Sequence, residues 1–236
     1  IKKGIFLMNR IEEQQNTLMY LSRLLQGHTQ KGDAAKRALV FTAQAKDLKN
    51  PNHSKKAMYQ KIHRKLYDKL SSPDEFNFSL FIASDVEASR RKYVPDEVLL
   101  NPILPHYHGI IVFNKPNWDH MCENIPYWKG EIRSSISDIK EIRDREVDGY
   151  GCIKSESIWI DVFDEKKVKG AKHQSPLGDY IQYSMKAHLQ GVDRSILIHE
   201  PSVFPFDLYA SDQDVIGANR LFNELWKQQV QSYEKS

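Results

Sequence analysis

Two histidines one residue apart, His106 and His108, sit at the head of an apolar, β-branched run, Gly109-Ile110-Ile111-Val112-Phe113. Such a run forms a buried strand, and side chains alternate across a strand, so both imidazoles leave the same face. Paired imidazoles on a rigid element supply much of a metal site that keeps positions open for substrate. Structural, hydrogen-bonded histidines are the plainer alternative, and a convergent third ligand would decide between them. Two acids, Asp85 and Glu87, follow the preceding apolar run, Phe76 to Ala83. Glu87 is the expected third ligand and Asp85 the alternative; two apart, both can face the same way. Farther along, Tyr183 is followed three residues later by Lys186. A phenol of ordinary pKa about 10 is a weak nucleophile at neutral pH. A neighbouring cation stabilises the phenolate, and a divalent ion polarises a phosphodiester oxygen and holds phosphorus in line for attack. Together these residues could cut a phosphodiester and retain the phosphate on tyrosine.

The flanking sequence must hold these groups. Ile11, Leu18, Leu21, Leu24 and Leu25 predict a helix over 10–26, with Gly27 at its C-terminal cap. Strands are predicted over 38–43, 76–83, up to Phe113, over 157–163 and over 194–199. Ser54 can cap a helix reaching about Leu70, with Met58, Ile62 and Leu66 as its apolar stripe. A short helix is predicted around 118–123 and a longer one over 132–145. Past Pro176, Leu177, Ile181, Met185 and His188 recur at packing spacing. Tyr183 and Lys186 then share another side of that helix, and Tyr180 lies between the two. The segment from Val215 to Tyr233 is amphipathic and closes the chain.

Charge distribution says more than net charge, which is only +3 over 236 residues. Lys55, Lys56, Lys61, Arg64, Lys65 and Lys69 crowd the helix begun at Ser54, and Arg90 and Arg91 precede the histidine strand. A same-sign cluster of this kind suggests a polyanion, so Lys55, Lys56, Lys61, Arg64, Lys65, Arg90 and Arg91 are the expected nucleic-acid contacts. Cys122 and Cys152 have no zinc-finger or CxxC spacing and read as free thiols of a reducing, cytoplasmic protein. The apolar stretch at the start is too short for a signal peptide, no run approaches a membrane span, and no phosphate-loop motif marks an ATP-driven motor. A start at Ile1 reads as a trimmed fragment.

The set resembles the HUH endonuclease superfamily, and within it plasmid-type rolling-circle replication initiator (Rep) proteins. The matching residues are Val40-Phe41-Thr42 for the first motif, His106-Tyr107-His108 with Gly-Ile-Ile-Val-Phe for the metal motif, and Tyr183-Ser184-Met185-Lys186 for the Tyr-x-x-Lys motif. The tyrosine follows the histidines, as in Rep proteins and unlike conjugative relaxases. The resemblance covers roughly Ala38 to Gln190. It implies an α+β fold: a four- or five-stranded antiparallel, RRM-like sheet with flanking helices. The layout expected is a helical extension over 1–35, an endonuclease domain over 36–200 and a second helical extension over 201–236. It also implies Mn²⁺ or Mg²⁺ on His106, His108 and Glu87, with Tyr183 as single nucleophile and Lys186 beside it. Single-stranded or hairpin origin DNA is the implied substrate, worked on with a host or fused helicase. Alternatives are a single-strand transposase of the same chemistry, a silent RRM-like nucleic-acid-binding regulator and, more weakly, a zinc hydrolase.

Overall fold

A computed structural model describes residues 14–26, 28, 31–46, 48, 50–67, 69–70, 77–85, 105–143, 157–167, 175–185, 200–209 and 212–234. Its centre is one five-stranded antiparallel sheet. The strands are β1 (Ala38–Gln44), β2 (Phe78–Asp85), β3 (His106–Phe113), β4 (Ile158–Val162) and β5 (Ser202–Phe204). Their order across the sheet is β4-β1-β3-β2-β5, so the histidine strand is central. The helices are α1 (14–24), α2 (Pro51–Tyr67), α3 (Lys115–Cys122), α4 (Ile125–Ser137), α5 (Pro176–Ser184), α6 (Phe206–Tyr209) and α7 (Asp212–Glu234). Among the described residues no helix is long and apolar enough to cross a membrane.

Helices cover both faces, which explains why the central strands are apolar nearly throughout rather than alternating with polar residues. On the first face Leu39, Phe41, Tyr107, Ile111, Phe78 and Leu80 meet Met58, Ile62 and Leu66 of α2 and Trp128, Ile132 and Ile136 of α4. On the second face Val40, Ile110, Val112, Phe81 and Ala83 meet Leu21 and Leu24 of α1, Leu177 and Ile181 of α5 and Leu221 of α7. Gly109 has a steric reason. It lies opposite Phe41 in the β1–β3 register, and a Cβ there would stand 2.1 Å from a ring carbon of Phe41. The ring lies over the glycine on the first face, next to His108 on the second.

Several sequence expectations shift. The helix placed at 132–145 lies earlier, because Asn124 caps it by accepting the Tyr127 N–H and Pro126 sits in its first turn. Ile142 instead bridges to Ala45. The strand expected over 194–199 lies outside the described residues. The short β5, unforeseen, pairs with β2 from beyond residue 200. Of the residues expected in the two extensions, those of β5 complete the sheet and those of α1 pack in the core of its second face.

Candidate metal centre and its tyrosine

The site is built at the end of the second face where β2 finishes and β3 begins. Cross-strand register sets Asp85 opposite His106 and Ala83 opposite His108, while β1 sets Thr42 opposite His108 from the other side. Tyr107, between the histidines, turns to the first face and is fully buried in its core. That anchor fixes the backbone and, by alternation, aims both imidazoles the other way.

Three donor atoms converge. His106 Nε2 and His108 Nε2 are 3.1 Å apart, and Asp85 Oδ2 stands 3.5 Å from the first and 3.4 Å from the second. Bonds of about 2.1 Å meeting at 90° to 109° need donor separations of roughly 3.0 to 3.5 Å. The triangle has these dimensions, so Asp85, His106 and His108 could hold one divalent ion on one side, leaving other positions to solvent or substrate. Asp85 is wholly buried and His106 partly open, so the carboxylate forms the floor and the mouth lies on the His106 side. Thr42 Oγ1 is 3.3 Å from His108 Nδ1. In the tautomer whose Nδ1–H donates to Thr42, the His108 Nε2 lone pair would be free to hold an ion, which is how an outer partner fixes a ligating histidine.

Helix α5 brings the tyrosines. Ser175 caps it by accepting the Gly178 N–H, Pro176 occupies its first turn, and Leu177, Ile181 and Met185 are buried against the sheet. Tyr180 wedges between helix and sheet, edge-on to Phe163 at 6.0 Å and to His108 at 6.5 Å between ring centroids. Burial, and secondarily the neighbouring Tyr183, raise the Tyr180 pKa far above its ordinary value, so it stays protonated. Tyr183 is different. Its ring centroid is 5.5 Å from that of His108, yet the residue is 44% exposed. Of the two tyrosines, Tyr183 is the more exposed.

The chain matches no known family model, no curated protein and no solved structure. The site's meaning therefore rests on its own geometry.

Among the described residues Asp85, the alternative third ligand, completes the cluster, and the β2–β3 register pairs it directly with His106. Glu87, the favoured ligand, lies outside the described residues, as do Lys186, Arg90 and Arg91. The expected basic surface is differently placed. Helix α2 packs on the first face, across the sheet from the triangle. Lys55 is buried, donates to the Glu200 carbonyl and offers no charge to a surface. Burial lowers its pKa to about 8, against the opposing pull of Asp207 and Glu200. Spacing could have revealed this, since Lys55 falls on the stripe of Tyr59, Ile62 and Leu66. Lys61 and Lys65 pair with Asp138 and Glu131 at 4.0 and 3.7 Å, and Lys56, Arg64 and Lys65 are the exposed cations of α2. Tyr180 is the half-buried aromatic that its place between the two sides of the helix predicts. Sequence reasoning missed the role of Thr42 as an imidazole partner, which the long-range pairing of β1 with β3 reveals.

Proposed function

We propose that this protein is a metal-assisted nickase and strand transferase of single-stranded DNA, acting in replication initiation, with Tyr183 as nucleophile. The observation that carries the reading is the proximity of an accessible phenol ring to a three-donor triangle of two imidazoles and a carboxylate. A divalent ion held by Asp85, His106 and His108 would polarise a non-bridging oxygen of the scissile phosphate. Imidazole donors favour Mn²⁺ over Mg²⁺. The Tyr183 oxygen attacks phosphorus, its proton passes to solvent, the P–O3′ bond breaks, and the departing 3′ oxygen takes up a proton. The product is a 5′-phosphotyrosine ester and a free 3′-hydroxyl. Because the ester stores the bond, the same or another 3′-hydroxyl can reverse the step, which makes religation possible and favours a transferase over a hydrolase. Lys186, three residues beyond Tyr183 in the chain, supplies the cation in this reading. Tyr180 packs against the second-face core and is the less exposed of the two tyrosines, which supports a single nucleophile.

The test is incubation of the protein with Mn²⁺ and end-labelled single-stranded DNA containing hairpin origin sequences, followed by denaturing electrophoresis. A covalent protein–DNA adduct is expected with the native chain and none with Tyr183→Phe. Binding without any adduct would instead identify a silent nucleic-acid-binding protein.

A further inference from the structure

The register that aligns the site also points one strand outward. Thr42 pairs with His108 on one side and with Trp159 on the other, so Trp159, Thr42, His108 and Ala83 form one row across β4, β1, β3 and β2. Ile158 and Ile160 turn into the core of the first face, so by alternation Trp159 projects from the second, the face of the metal triangle. Two strand spacings, about 10 Å, separate its backbone from that of His108. Trp159 is 51% exposed, and no ring among the described residues stacks on it. Exposing so large an apolar ring is unfavourable in a domain whose other described tryptophans are at least partly buried. The two buried isoleucines pin its backbone, so the indole is held on a rigid support.

We propose that Trp159 is a stacking platform for a nucleobase of the single strand bearing the scissile phosphate. This rests on the reading of the site as a DNA-cleaving centre and assigns a positioning residue to it. A phosphate at the triangle and a base on the indole would fix the strand at two points on one face. Attack needs the phosphorus held in line with the Tyr183 oxygen, and a second anchor reduces the freedom of the bound strand. Stacking is indifferent to base identity, so Trp159 grips the strand without choosing sequence. The partly paired lysines of α2, on the opposite face, cannot provide this contact.

The experiment compares binding of short oligo(dT) with binding of a base-free deoxyribose-phosphate strand of equal length, by fluorescence anisotropy with Mn²⁺ present. The Tyr183→Phe background prevents covalent capture. Oligo(dT) is expected to bind about tenfold or more tightly than the base-free strand, since each stacked base contributes on the order of 1.4 kcal/mol. Trp159→Ala should weaken oligo(dT) binding by about the same factor and leave base-free binding unchanged, while Trp159→Phe keeps most of the preference. Equal affinity of the parent for both strands overturns the platform without needing any variant. So does equal weakening of both strands by Trp159→Ala. If native protein forms the Tyr183 adduct while Trp159→Ala leaves oligo(dT) affinity unchanged, the platform fails and the nickase reading stands. If neither strand binds and no adduct forms, the nickase reading fails and takes the platform with it.

Discussion

The second face of the sheet carries histidines at both ends, and the two ends treat them oppositely. At one end His28 is buried, its Nε2 lies 3.1 Å from Ser79 Oγ, and its Nδ1 has no hydrogen-bond partner among the described residues. Burial, with a smaller contribution from Arg37, lowers its pKa to about 4, so it is neutral at physiological pH and serves packing. At the other end His106 and His108 aim two nitrogens at one carboxylate oxygen, with the mouth open on the His106 side. Burial alone does not mark a functional histidine, since His28 and His108 are almost equally buried. Convergence separates the two ends: a ring facing one hydroxyl has no second donor beside it, whereas rings meeting at a shared acid leave a place for a cation.

The sharpest way to break this contrast is to delete a ring at each end. His108→Ala should abolish high-affinity Mn²⁺ binding, read by isothermal titration calorimetry. His28→Ala should leave the metal affinity unchanged and lower the thermal midpoint through loss of a buried, well-packed ring. Should the two variants lose metal affinity equally, the ends are not distinct.

A second effect is in stability against pH. His28 binds a proton less readily folded, near pH 4, than unfolded, near pH 6.5. Between these values the unfolded chain holds more protons, so stability rises with pH across that window and falls as the solution is acidified. The contribution is roughly 3 kcal/mol. His28→Gln should flatten the difference in unfolding free energy between pH 4 and 6.5, measured by urea denaturation. An unchanged slope would remove His28 from the account of the closed end.

A smaller effect sharpens the open end. Thr42→Val keeps the shape of the side chain and removes the partner of His108 Nδ1. Metal affinity should fall by about 10- to 100-fold, as for other outer-shell losses, with the thermal midpoint nearly constant. A fall no larger than experimental error would show that the imidazole is oriented by packing alone. Beneath the site, Gly109→Ala should cost about 1 to 3 kcal/mol by forcing the Phe41 ring aside.

Much of this site is written in local sequence. The alternation through His106, Tyr107 and His108 specifies which rings share a face, and the stripe of Leu177, Ile181 and Met185 turns Tyr183 away from the core. What local pattern could not supply is strand register. Asp85 and Glu87 have the same parity, and only the pairing of β2 with β3 sets Asp85 against His106. Nor could pattern assign a layer to α2, whose lysines lie across the sheet from the triangle because Met58, Tyr59 and Ile62 pack on the first face. β5 is invisible for a simpler reason: three residues are too few to show a period. The pattern places α4 too late because Ile139 and Ile142 continue its apolar spacing after the helix has ended at Ser137.

The central claim is that Asp85, His106 and His108 act together as one ion site beside Tyr183. Electron paramagnetic resonance titration of the native protein with Mn²⁺ tests it most directly, repeated with Asp85→Asn and His106→Ala. One tightly bound ion per chain, lost in both variants, is the result the account predicts. Undiminished binding in either variant, or no bound ion in the native chain, would contradict it.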